Sequence, residues 1–99
     1  MPGFTQIMEI KTSRIDEVQA LMEKMEAESG DTVVSTRALL TSDRDRPGYY
    51  LAIIEFESFE EAMKQSNDPV TTDFAKQLSI LLDAPPKFYN LDVVRVMAG

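Results

Sequence analysis

Glu55-Phe56-Glu57-Ser58-Phe59-Glu60-Glu61-Ala62-Met63 turns a strand directly into a capped helix, and the rest of the chain can be read outward from that junction. Upstream, Tyr49 to Glu57 (YYLAIIEFE) is the most apolar strand pattern in the sequence, rich in bulky and β-branched residues. Ser58 followed by Glu61 forms a capping box, and the carboxylates of Glu60 and Glu61 suit the positive end of a helix. Glu60 and Lys64 have the spacing of an i,i+4 ion pair. Asn67-Asp68-Pro69 interrupts this helix, and Thr71 or Thr72 restarts it. Phe74, Leu78, Leu81 and Leu82 then supply one apolar stripe, which Ala84-Pro85-Pro86 ends because neither proline can continue a helix. Phe88 to Met97 (FYNLDVVRVM) reads as the last strand.

The amino-terminal half also reads as strand, helix, strand, with no internal sequence repeat. Phe4 to Lys11 (FTQIMEIK) is a strand, and Thr12 or Ser13 offers a cap to a helix with Ile15, Val18, Met22 and Met25 on one face. Gly30 ends that helix, and Val33 to Thr41 (VVSTRALLT) is the second strand. The polar loop Ser42 to Gly48 makes strands two and three an antiparallel hairpin. The order is therefore β-α-β-β-α-β, in one domain over residues 1–99. Right-handed crossovers place the third strand between the first and second. The expected class is α+β, a ferredoxin-like sandwich with a four-stranded antiparallel sheet and both helical regions on one face, the second broken near Asn67-Pro69. The other face would carry Ile7, Glu9, Leu51, Ile53 and Glu55. Leaving such residues wet costs roughly 25 cal/mol per Å2 of apolar area, so a second copy, sheet against sheet, is the expected cover.

Composition narrows the function classes. The net charge is −7, with 17 acidic and 10 basic residues, and Asp43 and Asp45 interleave with Arg44 and Arg46. Nucleic acid is thus not an expected partner. No apolar run approaches the roughly 18 residues of a membrane span, so no membrane partner is expected. The start, Met1-Pro2-Gly3-Phe4, shows no signal-peptide pattern. Cysteine is absent, which is compatible with the cytoplasm, the expected location. Without cysteine or histidine, the common catalytic triads and zinc sites are excluded.

The junction EFESFEEAMKQ (55–65), the break SNDP (66–69), the helix FAKQLSILLD (74–83) and the ending PPKFYNLDVVRV (85–96) resemble the dimeric α/β-barrel superfamily. Within it the antibiotic-biosynthesis-monooxygenase-like group is the nearest match, over almost the whole chain. The resemblance implies a homodimer and a pocket between sheet and helices, lined by polar groups from the strands and the broken second helix. Haem-degrading members use an axial histidine with asparagine and tryptophan, whereas this chain has neither histidine nor tryptophan. No cofactor is therefore expected. Asn67, Arg37, Tyr50 and Tyr89 are the positions that loosely match residues of the quinol-type oxygenases.

Each candidate has two readings. Arg37 would neutralise an anionic substrate, or form an ion pair across a dimer. Gln6, in the same alternating set as Phe4 and Met8, would orient a ligand or satisfy a neighbouring backbone group. Tyr49 and Tyr50 point to opposite faces, so only one can reach a helix-side pocket, and Tyr89 has the same ambiguity beside Phe88. Asn67 would turn its amide into the cavity or cap a helix. Glu9, Glu55, Glu57 and Asp92 would cluster, or pair with Arg95 or Lys11 as a polar sheet end; no metal site is expected. The methionines, Met8, Met22, Met25 and Met63 among them, would fill the core or shape a plastic pocket.

These residues leave the catalytic set unassigned. The expected function is binding of a hydrophobic small molecule, with cofactor-independent oxygenation of a phenolic or polycyclic substrate as the chemistry. In that scheme Arg37 and a tyrosine stabilise the substrate anion, which reacts directly with dioxygen, and the base is Glu, Asp or the substrate's own ionisation. The alternative is a non-enzymatic ligand-binding or interaction protein on the same scaffold. A third reading, an isomerase or mutase, needs a pair of acids inside the pocket.

Overall fold

A computed structural model describes residues 3–30 and 34–98. The elements are β1 (Phe4–Lys11), α1 (Ile15–Ser29), β2 (Arg37–Ser42), β3 (Tyr49–Phe56), α2 (Phe59–Ser66), α3 (Pro69–Leu81) and β4 (Lys87–Asp92). The four strands form one antiparallel sheet in the order β2-β3-β1-β4, the ferredoxin-like arrangement.

Register sorts the side chains into rows that cross all four strands. Leu40, Ala52, Met8 and Phe88 make one row facing the helices, and Ala38, Ile54, Gln6 and Asn90 make the next. On the opposite face, Leu39, Ile53, Ile7 and Tyr89 form a central row. The neighbouring outer rows are more polar: Arg37, Glu55, Thr5 and Leu91 on one side, and Thr41, Leu51, Glu9 and Lys87 on the other.

The core has two parts. Met8, Ile10, Val18, Ala52 and Leu78 join β1, β3, α1 and α3. Phe4, Phe56 and Ala62 join the other end of the sheet to α2, with the Phe59 ring set edge-on to Phe4 at 5.3 Å between centroids. Gly3 passes so close to β3 that an added Cβ would sit 2.5 Å from the Phe56 carbonyl oxygen, which only glycine tolerates.

Several local details differ from the sequence expectation, each for a physical reason. Ser58 does cap α2, its Oγ accepting from Glu61 N–H at 3.2 Å. The Glu61 carboxylate, however, takes Lys64 Nζ at 2.9 Å, so the i,i+3 pair replaces the expected Glu60–Lys64 pair. The chain re-enters a helix at Pro69 rather than Thr71 or Thr72, because Asp68 caps it by accepting from Val70 N–H at 2.9 Å. β2 begins at Arg37, and Val33 lies outside the described residues. β4 ends at Asp92 instead of reaching Met97. Its neighbour β1 starts at Phe4, and Val93 N–H donating to Gly3 O is the last rung among the described residues.

Thr12 is a buried polar residue that ties three elements together. Its Oγ1 donates to the Leu81 carbonyl at 2.7 Å and accepts from Arg14 N–H at 2.9 Å, in place of a side-chain cap on α1. Thr12→Val keeps the shape and strips both partners. It is expected to cost about 1–3 kcal/mol of stability in urea unfolding; a loss below about 0.5 kcal/mol would show that these groups find other partners.

Candidate functional site

The two core clusters leave a gap between them, and the gap is a cavity of about 540 Å3 between the sheet and the α2–α3 layer. Its floor is made by Gln6, Met8, Ile54, Phe88 and Asn90, from the two helix-facing rows. Ala62, Gln65 and Ser66 come from α2, and Thr71, Thr72, Phe74, Ala75, Leu78 and Ser79 from α3. The helix break at Asn67-Asp68 redirects the chain so that two short helices, rather than one long one, form this roof. Phe88 and Asn90 are exposed on the edge strand β4, which opens the cavity to solvent on that side.

The lining is apolar with amides and hydroxyls, and none of the described residues around it carries an ionisable side chain. Gln6 Nε2 donates to Asn90 Oδ1 at 3.0 Å across the β1–β4 rung. Gln65 Oε1 accepts from Val34 N–H at 3.2 Å. The Thr72 and Ser79 hydroxyls donate back to the Asp68 and Lys76 carbonyls.

The structure distributes the five sequence candidates over four places. Gln6 lies in the cavity floor. Tyr50 is on the same face of the sheet but packs against the Ile10–Val18 core cluster. Asn67 is exposed and ends α2, its N–H bonding the Met63 carbonyl. Arg37 and Tyr89 are on the opposite face, where strand alternation puts every second residue. There Arg37 lies 3.8 Å from Glu55 of its own chain, and Lys87 sits over the Tyr89 ring. Asn90, Gln65, Thr71 and Thr72 line the cavity but are not among the sequence's site candidates. The alternation of Asn90 with Phe88 in FYNLD was the available signal, but pairing with Gln6 depends on a register between strands 84 residues apart.

Charge is concentrated on the open face instead. Arg46 bonds Glu9 at 3.0 Å and Asp43 at 2.8 Å and stacks over the Tyr49 ring at 4.3 Å. The Arg46 hydrogen bond holds the Asp43 carboxyl below its usual range, helped by the Asp45 N–H. That contact favours the fold at neutral pH and is lost as the pH falls through the carboxylate range. Glu9 and Glu55 thus face arginines, and no group of three or more acidic side chains among the described residues is arranged to hold a metal ion.

With the sheet order and the cavity established, comparison with solved structures is informative. SnoaB, a cofactor-independent oxygenase from Streptomyces nogalater whose structure is that of a mutant, superposes with a TM-score of 0.82 at 14% identity, covering 98% of each chain. A candidate antibiotic biosynthesis monooxygenase from Caulobacter crescentus gives 0.81 at 12% identity, over 95% of this chain and 92% of that one. This chain has the antibiotic-biosynthesis-monooxygenase-like fold. Rv0793 from Mycobacterium tuberculosis shares that fold as well, at a TM-score of 0.79 and 14% identity, over 97% of this chain and 99% of the other. No protein-family model matches the sequence, and no curated protein does. At these identities the monooxygenase-like fold is what is shared. Among the described residues, no helix is long and apolar enough to cross a membrane.

Proposed function

We propose that this protein binds a hydrophobic small molecule in the cavity between the sheet and α2–α3, and that it does so as a homodimer. The observation that carries the first part is the cavity itself, which is large enough for a fused-ring ligand, mostly apolar, and furnished with a few amides. The second part is supported by the open face, where Ile7 and Ile53, half-buried, and Leu39, exposed, form an apolar row. The absence of cysteine suits the cytoplasm as the working compartment.

The finer proposal, cofactor-independent monooxygenation of a phenolic or polycyclic substrate, is supported by the fold shared with SnoaB. Its chemistry is constrained here. No carboxylate, lysine or tyrosine among the described lining residues can take a proton, and Arg37 lies across the sheet. The substrate would have to lose its proton without a base in the cavity wall. That same observation favours the second reading, a binder that performs no oxygenation, and it gives no support to an isomerase, which needs acids in the pocket.

Oxygen uptake with a panel of hydroquinones and anthrones, beside direct binding measurements, separates these readings. Uptake well above the enzyme-free rate, saturable in substrate, would support oxygenation. Saturable binding without uptake would leave the binder, and absence of binding would end the proposal. Because the described lining residues include no titratable group, affinity for a non-ionising fused-ring probe such as phenanthrene is expected to vary less than about twofold from pH 5 to pH 9. A tenfold change across that range would place an ionisable group at the ligand.

A further inference from the structure

The cavity's polar chemistry is narrower than its size suggests, and the Gln6–Asn90 pair defines it. The two side chains stand on neighbouring strands in the same helix-facing row, and Gln6 Nε2 donates to Asn90 Oδ1 at 3.0 Å. An amide has one carbonyl and two N–H donors. Once this bond is made, Gln6 Oε1 remains as an acceptor and Asn90 Nδ2 as a donor. Turning both amides over exchanges these roles, so the pair still offers one of each. Turning only one would break the bond by setting like groups against each other. The pair is thus a coupled unit, with a donor and an acceptor side by side on an otherwise apolar floor of Met8, Ile54 and Phe88.

Charge points the same way. No described lining residue is ionisable, and the chain as a whole carries −7. An anionic group entering the cavity would give up hydration, meet no counter-ion, and oppose the field of the whole protein. A cation would find no carboxylate in the wall. A ligand that offers only a carbonyl satisfies Asn90 and leaves Gln6 Oε1 covered by apolar surface, and an unmade bond of that kind is penalised.

From this we infer that the cavity selects an uncharged fused-ring ligand bearing a hydrogen-bond donor and an acceptor on one edge, as a lactam does, read by the Gln6–Asn90 amide pair. The inference rests on the proposed reading of the cavity as a ligand site.

Four probes of similar ring size test it by titration calorimetry on the full-length protein: phenanthridinone, N-methylphenanthridinone, phenanthrene and phenanthrene carboxylate. The lactam is expected to bind about five- to tenfold more tightly than its N-methyl derivative, the effect of one neutral hydrogen bond in a half-exposed site. The carboxylate is expected to bind at least about tenfold more weakly than the lactam at pH 7. The Gln6→Met/Asn90→Leu double variant should bring the lactam to N-methyl ratio below about two, since either single variant leaves one amide with both a carbonyl and N–H groups. Where the double variant folds poorly, the lactam to N-methyl ratio of the original protein still decides. Equal binding of lactam and N-methyl lactam, a preference that survives in the double variant, or tightest binding of the carboxylate would overturn the inference while leaving a ligand site. If none of the four probes binds, the ligand site and this inference fall together.

Discussion

Ile53→Glu is expected to leave the protein monomeric while its secondary structure is retained. Ile53 is at the middle of the open sheet face, in register with Ile7 on one side and Leu39 on the other. Its row is apolar, while Glu55 and Glu9 in the flanking rows are engaged by Arg37 and Arg46. A carboxylate at this centre would be buried in a sheet-on-sheet interface with no partner. The penalty for an unpaired buried charge is several kcal/mol, so dissociation should rise by about two to three orders of magnitude. In the single chain the same side chain points to solvent, so the fold should tolerate it. Size exclusion with light scattering checks both proteins: dimer for the original chain and monomer for the variant. A monomeric original chain would end the homodimer proposal, and a variant that stays dimeric at low micromolar concentration would move the interface elsewhere.

The largest effect on folding is expected on the other face, at Ile10. Its side chain is completely buried, paired across the strand with Tyr50 and joined in one cluster with Val18, Ala52 and Leu78. That cluster holds β1 and β3 to α1 and α3 at the end of the sheet away from Phe4. Ile10→Ala removes three carbons from a site bounded by three different elements, which leaves little freedom to collapse. A loss of about 2–5 kcal/mol is expected, with a fall in Tm of roughly 4–8 °C per kcal/mol for a domain of this size. Thermal unfolding followed by circular dichroism measures it. A fall of less than about 5 °C would mean that the site closes over the missing atoms.

Much of this architecture is legible in the sequence because it is local. Ser58 and Glu61 mark the start of a helix wherever they occur after a strand, and alternation in FTQIMEIK and YYLAIIEFE is enough to separate Ile7, Leu51 and Ile53 from Met8, Ile10 and Ala52. The break at Asn67-Asp68 is equally plain, although Asp68-Pro69 was a cap and first-turn pair and not merely an interruption. The candidate site was harder to see because it depends on non-local register. Nothing in the local pattern around Asn90 says that it faces Gln6, and nothing around Arg37 says that Glu55 is its partner. Tyr50 has the parity of a cavity residue, but its position along the strand puts it in the Ile10 cluster instead. Parity can be read from one strand, whereas position along a cavity requires the neighbouring strands to be in place.

The central claim is that the space between the sheet and α2–α3 holds a small molecule, and chemical-shift mapping by NMR tests it most directly. Titration with phenanthridinone should produce saturable shifts at the backbone amides of Gln6, Ala62, Ala75, Phe88 and Asn90, all from cavity-lining positions. Side-chain methyl signals of the open-face row, Ile7, Leu39 and Ile53, should stay unchanged. No saturable shift, or shifts confined to the open face, would contradict the cavity as the ligand site.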